Sequence, residues 1–131
     1  MRVMLDTNVL ISAIIFPNER MNSLLYKATL EHQLVLSSFI VDEVFDVTKR
    51  KFPAKIKAVD MYLSRLPLEL VYTPRVPEHD FFRIRDKDDS LILYSAIIEN
   101  VDIFVTGDAD FDNVDIQKPE ILTPAEFLEK Y

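Results

Sequence analysis

Four acidic residues of this chain occupy places where no local partner explains their charge. Asp6 follows a short apolar segment, and Glu43 lies in a helical pattern whose neighbours three and four residues away include no cation. Asp89 opens a strongly apolar segment, and Asp108 directly follows the only glycine of the chain. Each acid alone is explained most simply as a helix cap or a surface charge. Together they form a candidate cation site.

Such a cluster has a specific chemistry. Carboxylates that converge without a cation repel and desolvate one another, so a fold tolerates them mainly when a divalent metal is held between them. The chain has no cysteine and only two histidines, which are isolated, so the candidate ligands are oxygen atoms. Oxygen ligands favour hard ions, Mg²⁺ or Mn²⁺. Such an ion can activate a water for in-line attack on a phosphodiester, so the pattern predicts metal-dependent phosphodiester hydrolysis.

Short apolar strands alternate with helical patterns along the chain and could bring these acids together. The sequence predicts strands at residues 2–5, 34–36, 68–72, 103–105 and 121–122. This alternation predicts an α/β fold with a parallel sheet covered on both faces. The carboxyl ends of parallel strands meet at one edge of the sheet, where ligands bind in open α/β folds. We therefore expect the four acids to converge at that edge.

Polar residues mark the expected helix starts. They are Asp6-Thr7-Asn8, Ser37-Ser38, Asp88-Asp89-Ser90 and the capping box Thr123-Pro124-Ala125-Glu126. Further helices are predicted at residues 54–66 and, as a short segment, at 78–85. A chain that uses glycine only once is expected to need it, so we predict a positive φ or a close backbone approach at Gly107.

Composition sets the remaining bounds. The 131 residues are 49% apolar and 28% charged, which predicts one globular domain spanning residues 1–131. No apolar run approaches the roughly 20 residues that span a bilayer, and no secretory leader is evident, so a cytoplasmic location is expected. The net charge of −7 is uneven: residues 1–48 carry −3, residues 49–87 carry +5 and residues 88–131 carry −9. One sector could therefore meet an anion while another concentrates carboxylates.

The four acids stand in four motifs whose order along the chain is familiar. The motifs are Leu5-Asp6-Thr7-Asn8, Ser38 followed by Glu43, Asp89-x-x-Ile-x-x-x-Ala96, and Thr106-Gly107-Asp108-Ala109-Asp110-Phe111. Together they resemble the PIN-domain family, and within it the VapC-like toxins of bacterial and archaeal toxin–antitoxin pairs. The resemblance implies an α/β/α sandwich with a parallel five-stranded sheet. It also implies a ribonuclease site that depends on Mg²⁺ or Mn²⁺.

The resemblance assigns roles to particular residues. The catalytic and metal-binding quartet falls on Asp6, Glu43, Asp89 and Asp108, with Asp110 as an occasional fifth ligand. Asn8 and Thr106 would be supporting polar groups. Asp86 or Asp88 could replace Asp89 in a shifted register, but only Asp89 leaves the apolar pattern that follows in phase. A homodimer and an inhibitory antitoxin protein are further expectations from the family.

The +5 sector contains the basic triad Lys49, Arg50 and Lys51. These three residues follow Glu43 on the same predicted helix, about two turns beyond it, and with Lys55 and Lys57 they could hold RNA phosphates. The alternative is a solvated helix end whose charge complements the helix dipole.

Other functions fit the sequence less well. Phosphoryl-transfer enzymes of the haloacid-dehalogenase type need a second aspartate two residues after the first, where this chain has Asn8. A dinucleotide-binding fold needs a glycine-rich first turn, which one glycine cannot supply. The main alternative is a PIN-like binding module without turnover. The intact acidic quartet favours the enzyme, and a metal-titrated cleavage assay separates the two.

Overall fold

A five-stranded, all-parallel sheet forms the centre of the computed structural model. The structure describes residues 1–72, 87–112 and 114–131; for residues 87–89 it describes the backbone only. The order across the sheet is β3-β2-β1-β4-β5. The strands are β1 (Arg2–Leu5), β2 (Gln33–Ser37), β3 (Glu69–Val71), β4 (Ile103–Val105) and β5 (Glu120–Leu122). All five predicted strands are therefore confirmed, with small differences at their ends.

The central strands are buried because they are apolar throughout. Leu5 of β1, Leu36 of β2 and Phe104 of β4 have no exposed surface. Strands that are covered on both faces of a parallel sheet are expected to be continuously apolar, without alternation. β1 lies in the middle of the five strands, so the residue that follows it reaches the centre of the sheet's carboxyl edge.

Helices cover both faces of the sheet and give the predicted α/β/α sandwich. They are α1 (Thr7–Ile15), α2 (Glu19–Tyr26), α3 (Ser38–Lys51), α4 (Ile56–Arg65), α5 (Lys87–Ile98) and α6 (Pro124–Lys130). The right-handedness of parallel crossovers places α1 to α4 on one face and α5 on the other, because the chain reverses its direction across the sheet after β3. α6 packs against α2 and so joins the first layer.

Most helix starts follow the predicted capping chemistry. The Ser37 hydroxyl accepts a hydrogen bond from the backbone N–H of Ile40, and Thr123 and Glu126 form the complete capping box of α6. α5 is described from Lys87, one residue before the predicted start at Asp88-Asp89-Ser90, so Asp88 and Asp89 both lie in its first described turn. Acidic residues are also favourable within a first turn, where they face the positive end of the helix dipole.

Two further helix predictions have different outcomes. The segment 54–66 forms a helix only from Ile56, because Pro53–Lys55 adopts a 3₁₀ turn before α4. The short helix predicted at 78–85 lies outside the described residues. Within the described part of the chain, no helix is both long and apolar enough to cross a membrane.

Hydrogen bonds at the amino edge of the sheet hold β1 beside β4. The backbone N–H of Arg2 donates to the Asp102 carboxylate at 2.7 Å, and the backbone N–H of Asp102 donates to the Arg2 carbonyl at 2.8 Å. The Lys118 ammonium lies 3.0 Å from the same carboxylate. These bonds lower the pKa of Asp102, with the Arg2 N–H as the largest cause. They fix the register that aligns the two strands at their opposite, carboxyl ends.

Candidate active site

The strand register brings polar residues into a row at the carboxyl edge of the sheet. Leu5 pairs with Val105, and Val105 pairs with Leu122, so the residues that follow these strands are neighbours. These next residues are Asp6 and Thr106, which therefore lie side by side at the sheet's centre. The carboxyl edge thus carries side chains that can donate, accept or ligate, as expected for the binding edge of an open α/β sheet.

Asp6 combines two structural roles. It is the N-cap of α1, because its Oδ1 accepts a 2.8 Å hydrogen bond from the backbone N–H of Thr7. Its Oδ2 accepts a second 2.8 Å bond from the Thr106 hydroxyl. The Asp6 backbone N–H donates to the Val105 carbonyl at 2.9 Å. Asp6 is only 5% exposed, and its carboxylate is held in one orientation by the first residue of α1 and by the residue that follows β4.

Thr106 links Asp6 to a second acid. Its hydroxyl oxygen accepts a 3.0 Å hydrogen bond from the backbone N–H of Asp108 while it donates to Asp6. Asp108 in turn caps the 3₁₀ turn Ala109–Phe111, with its Oδ1 accepting from the Asp110 N–H at 2.9 Å. One buried hydroxyl therefore sets the position of the loop that carries Asp108 relative to the end of β1.

An open cleft of about 330 Å³ lies beside this pair. Its lining is Asp6, Asn8, Val9, Ser12, Met21, Gly107, Asp108 and Pro124. Three residues predicted from the sequence, Asp6, Asn8 and Asp108, thus share one cavity. Sequence reasoning missed Ser12, although it lies four residues after Asn8 on the same helix face. Met21 and Pro124 come from separate elements and carried no signal in the sequence.

Two other predicted site residues, Glu43 and Asp89, lie on helices that begin at the same edge. Helices in a parallel α/β fold run opposite to the strands, so α3 and α5 start at the carboxyl edge. Glu43 is half-buried in the second turn of α3. Asp89 lies in the first described turn of α5, where the structure describes its backbone but not its side chain. Asp110 is half-buried in the 3₁₀ turn. Asp86 lies outside the described residues.

A model of the PIN domain family matches residues 2–110 of the chain. The chain belongs to the PIN-domain family. This membership confirms the resemblance inferred from the four motifs. A search of curated proteins found no match.

Two solved structures are similar to this PIN domain. VapBC2 from Rickettsia felis, solved bound to a DNA fragment from their promoter, matches with a TM-score of 0.70 and 24% identity over 93% of this chain and 97% of that chain. Mycobacterium tuberculosis VapC20, described as a Sarcin-Ricin loop cleaving toxin, matches with a TM-score of 0.57 and 13% identity over 84% of this chain and 92% of that chain. The fold of this chain is therefore similar to the folds of these two VapC structures, in agreement with the resemblance seen in the sequence.

The donor set of this PIN domain fits a hard divalent cation in chemical type. Asp6 and Asp108 offer carboxylate oxygens at one cleft, and each such oxygen can accept more than one partner. Oxygen ligands of this kind suit Mg²⁺ or Mn²⁺. Among the side chains that the structure describes, no three acids or histidines are grouped closely enough to hold a metal. Glu43 and Asp89 therefore remain predictions as the additional ligands.

One of the two alternatives predicted for Gly107 is wrong. The glycine has no positive φ, so the second alternative, a close backbone approach, stays a prediction. An added Cβ would meet no described atom within 4 Å, and the residue is exposed. Neither the backbone conformation nor packing within the described chain requires a glycine here.

Thr7 is a second unexpected feature beside the cleft. The residue is 3% exposed, and its hydroxyl oxygen is buried without a hydrogen-bond partner in the described structure. A buried hydroxyl without a partner destabilises a fold by about 1–3 kcal/mol. Its backbone N–H has a clear role in holding Asp6, whereas its side chain has none.

The basic triad occupies the far end of α3. Lys49, Arg50 and Lys51 are exposed in the last turn of that helix. With a rise of about 1.5 Å per residue, they lie roughly 9–12 Å beyond Glu43 along the axis, on the side away from the carboxyl edge. The prediction that they hold RNA stays untested by this geometry.

Proposed function

We propose that this PIN-domain protein is a Mg²⁺- or Mn²⁺-dependent endoribonuclease and the toxin component of a toxin–antitoxin pair. The observation that carries the proposal is the pair of carboxylates, Asp6 and Asp108, linked through the Thr106 hydroxyl beside an open cleft. The solved VapC20 relative, described as a toxin that cleaves the Sarcin-Ricin loop, supports RNA as the substrate.

In this proposal Asp6, Glu43, Asp89 and Asp108 would hold the cation, with Asp110 as a possible fifth ligand. A divalent cation held by these residues would lower the pKa of a water, so that hydroxide is available to attack the phosphodiester, and would offset charge on the leaving oxygen. The protein's part is orientation. Because Asp6 accepts bonds from the Thr7 N–H and the Thr106 hydroxyl, its carboxylate is held in place before any ligand arrives.

Other residues of the cleft would position the RNA strand. Asn8 lies exposed in the first turn of α1, where its amide can donate and accept hydrogen bonds to the substrate. Lys49, Arg50 and Lys51 would bind phosphates farther along the strand. Cations are needed for this task, because a carboxylate cluster in a chain of net charge −7 repels a polyanion.

The proposal includes two protein partners. The similar VapBC2 structure supports an antitoxin that binds this chain and suppresses its activity. A homodimer is the second expected assembly. Size-exclusion chromatography with light scattering, performed with and without the co-expressed neighbouring reading frame, tests both; a monomer that binds no such product would contradict them.

The direct test is cleavage of single-stranded RNA and DNA by the purified protein with Mg²⁺, Mn²⁺ or excess chelator. Asp6→Asn is the informative variant, since asparagine is an equally good N-cap and nearly isosteric. We expect it to lose at least about a hundredfold in activity while its melting temperature stays close to wild type. Asp60→Asn, which removes a carboxylate from an exposed position of α4, is the matched control.

A thermal measurement tests the metal site without turnover. Mn²⁺ should raise the melting temperature in a concentration-dependent way, because it binds the folded cluster better than the unfolded chain. Asp108→Asn should reduce this shift. Activity that persists in excess chelator, or in Asp6→Asn, would contradict the enzyme. RNA binding without cleavage in either metal would instead favour the binding module.

A further inference from the structure

The only glycine of the chain lies in the wall of the candidate cleft, and nothing in the described structure requires it there. Gly107 stands between Thr106 and Asp108, the two residues that organise the acidic pair. Its φ is not positive, and an added Cβ would meet no described atom within 4 Å. A glycine in such a conformation makes the unfolded chain more flexible and so lowers stability relative to alanine.

A third reason for glycine remains, which is the close approach of a ligand to the backbone. Gly107 is exposed, and it lines the same cleft as both carboxylates. A side chain at this position would project from the loop between them into otherwise open space. Gly107 therefore leaves room for a ligand in this cleft to approach the main chain closely.

The cleft has two chemically different sides. Asp6 and Asp108 form an acidic side, whereas Val9, Met21 and Pro124 supply apolar surface. Ser12 and Asn8 add polar groups from α1, so the lining mixes groups that exclude water with groups that can hydrogen-bond. Its volume, about 330 Å³, lies near the lower limit of ordinary small-ligand pockets.

A nucleotide also has two chemically different parts, a charged phosphate and a largely apolar base. Its phosphate would lie at the cation held by the carboxylates, while its base offers an apolar face and polar edges. Proteins that read single-stranded RNA pack splayed bases against side chains and hydrogen-bond their edges. The polarisable thioether of methionine packs well against aromatic rings, which suits Met21 to this role. Pro124, the first residue of α6, has a fixed φ and adds a rigid surface.

We propose that this cleft is a subsite for one nucleotide adjacent to the scissile phosphate, and that Gly107 is present because a side chain there would obstruct it. The inference rests on the proposed nuclease function. It assigns substrate positioning to Gly107 and Met21, neither of which touches the reacting atoms.

The experiment compares wild type, Gly107→Ala and Gly107→Val in steady-state cleavage of a short single-stranded RNA of mixed sequence with Mn²⁺. KM should rise about tenfold in Gly107→Ala and further in Gly107→Val, with kcat changed less than about threefold. The melting temperature of Gly107→Ala should stay unchanged or increase, and its Mn²⁺-induced shift should match wild type. Ala54→Val, which adds bulk at an exposed turn outside the cleft lining, is the control.

A second pair of variants tests the apolar side. Met21→Ala should raise KM, whereas Met21→Leu, which keeps most of the apolar surface, should restore it in large part. This comparison stays informative even if Gly107→Val folds poorly, because Met21 lies on a different element.

Each remaining outcome has one meaning. If wild type cleaves RNA and the Gly107 variants have the same KM, the proposed nucleotide subsite is wrong but the proposed nuclease function is supported. If Gly107→Ala loses its Mn²⁺-induced shift, the glycine shapes the metal site and the subsite is also wrong. Unchanged RNA kinetics with weakened antitoxin binding would assign the cleft to the protein partner and overturn the proposal. A wild type that neither binds nor cleaves RNA would refute the proposed function itself.

Discussion

The Thr106 hydroxyl donates a 2.8 Å hydrogen bond to Oδ2 of Asp6, across 100 positions of the chain. The same hydroxyl accepts from the Asp108 backbone N–H at 3.0 Å. Thr106 is 3% exposed; its bond to Asp6 is buried, and the bond it accepts from Asp108 is partly buried. The relative placement of the two acids at the cleft therefore depends on one uncharged side chain.

Thr106→Val should uncouple the two acids. Valine keeps the shape but removes a hydrogen bond to a buried carboxylate, so we expect the free energy of unfolding to fall by about 1–3 kcal/mol. The Mn²⁺-induced thermal shift should fall as well, since the Asp108 loop loses its anchor. Denaturant melts with and without Mn²⁺ measure both effects. Thr106→Ser restores the hydroxyl and should return both quantities close to wild type; a valine variant as stable as wild type would contradict this role.

The sequence predicted this fold well because most of its signals are local. The apolar strands, the Ser37 cap and the Thr123 capping box depend on residues within a few positions of one another, and each is present. The bond between Thr106 and Asp6 is different. It requires the pairing of Leu5 with Val105, which is decided by sheet topology and not by any short pattern.

The wrong predictions also have physical reasons. A positive φ was one of two alternatives predicted for Gly107, because glycine adopts it most easily, yet that freedom is not used here. The start of α5 differs by one residue from the predicted Asp88-Asp89-Ser90, and an acid is stabilised within a helix's first turn as well as before it. Met21 and Pro124 reach the cleft only through the packing of α2 against α6 beside α1.

Thr7→Val should stabilise the protein. The Thr7 hydroxyl is buried without a partner in the part of the chain that is described, so its removal ends a desolvation cost and should raise the free energy of unfolding by about 1 kcal/mol. Thr48→Val is the matched control, because that equally buried hydroxyl donates a 2.7 Å bond to the Val44 carbonyl. In urea melts Thr48→Val should be less stable than wild type, because it loses this bond. A Thr7→Val variant that is also less stable than wild type would show that a group outside the described structure uses the Thr7 hydroxyl.

Asp102 should make stability depend on acid pH. Its pKa in the folded protein lies below the ordinary value of 3.8, chiefly because the Arg2 N–H binds the charged form. The unfolded chain therefore binds a proton more readily, and the stabilisation is complete above the ordinary pKa and is lost as the pH falls through the folded-state pKa. Asp102→Asn should lower the melting temperature at pH 7, and the difference from wild type should narrow as the pH falls below 3.8 and through the lower folded-state pKa of Asp102.

The control for this pH dependence is Asp60→Asn, at an exposed position of α4. It removes a carboxylate without affecting the bonds of Arg2 and Lys118 to Asp102. Its difference from wild type should be small at every pH. A constant difference for Asp102→Asn from pH 7 to pH 2 would show that shape, and not ionisation, explains its effect.

The basic triad gives the last test, which concerns how so acidic a protein holds an anionic strand. Lys49, Arg50 and Lys51 are exposed and close to Glu43 in sequence, but they lie toward the end of α3 that points away from the carboxyl edge. Phosphate contacts position a strand without reading its sequence. Replacing all three by glutamate should therefore raise KM for RNA of any sequence and flatten the salt dependence of binding.

Helix-end effects must be separated from RNA binding. Arg65→Glu puts the same charge change into the last turn of α4, so comparison with Arg50→Glu cancels the loss of the favourable interaction with the helix dipole. Arg50→Glu should weaken RNA binding more than Arg65→Glu, while the Mn²⁺-induced thermal shift stays as in wild type for both. If the triple variant keeps the wild-type affinity and salt slope, the triad only stabilises the end of α3. The RNA path would then have to be sought around four other cations of the +5 sector, Arg75, Arg83, Arg85 and Lys87, because residues 88–131 carry −9 and would repel it.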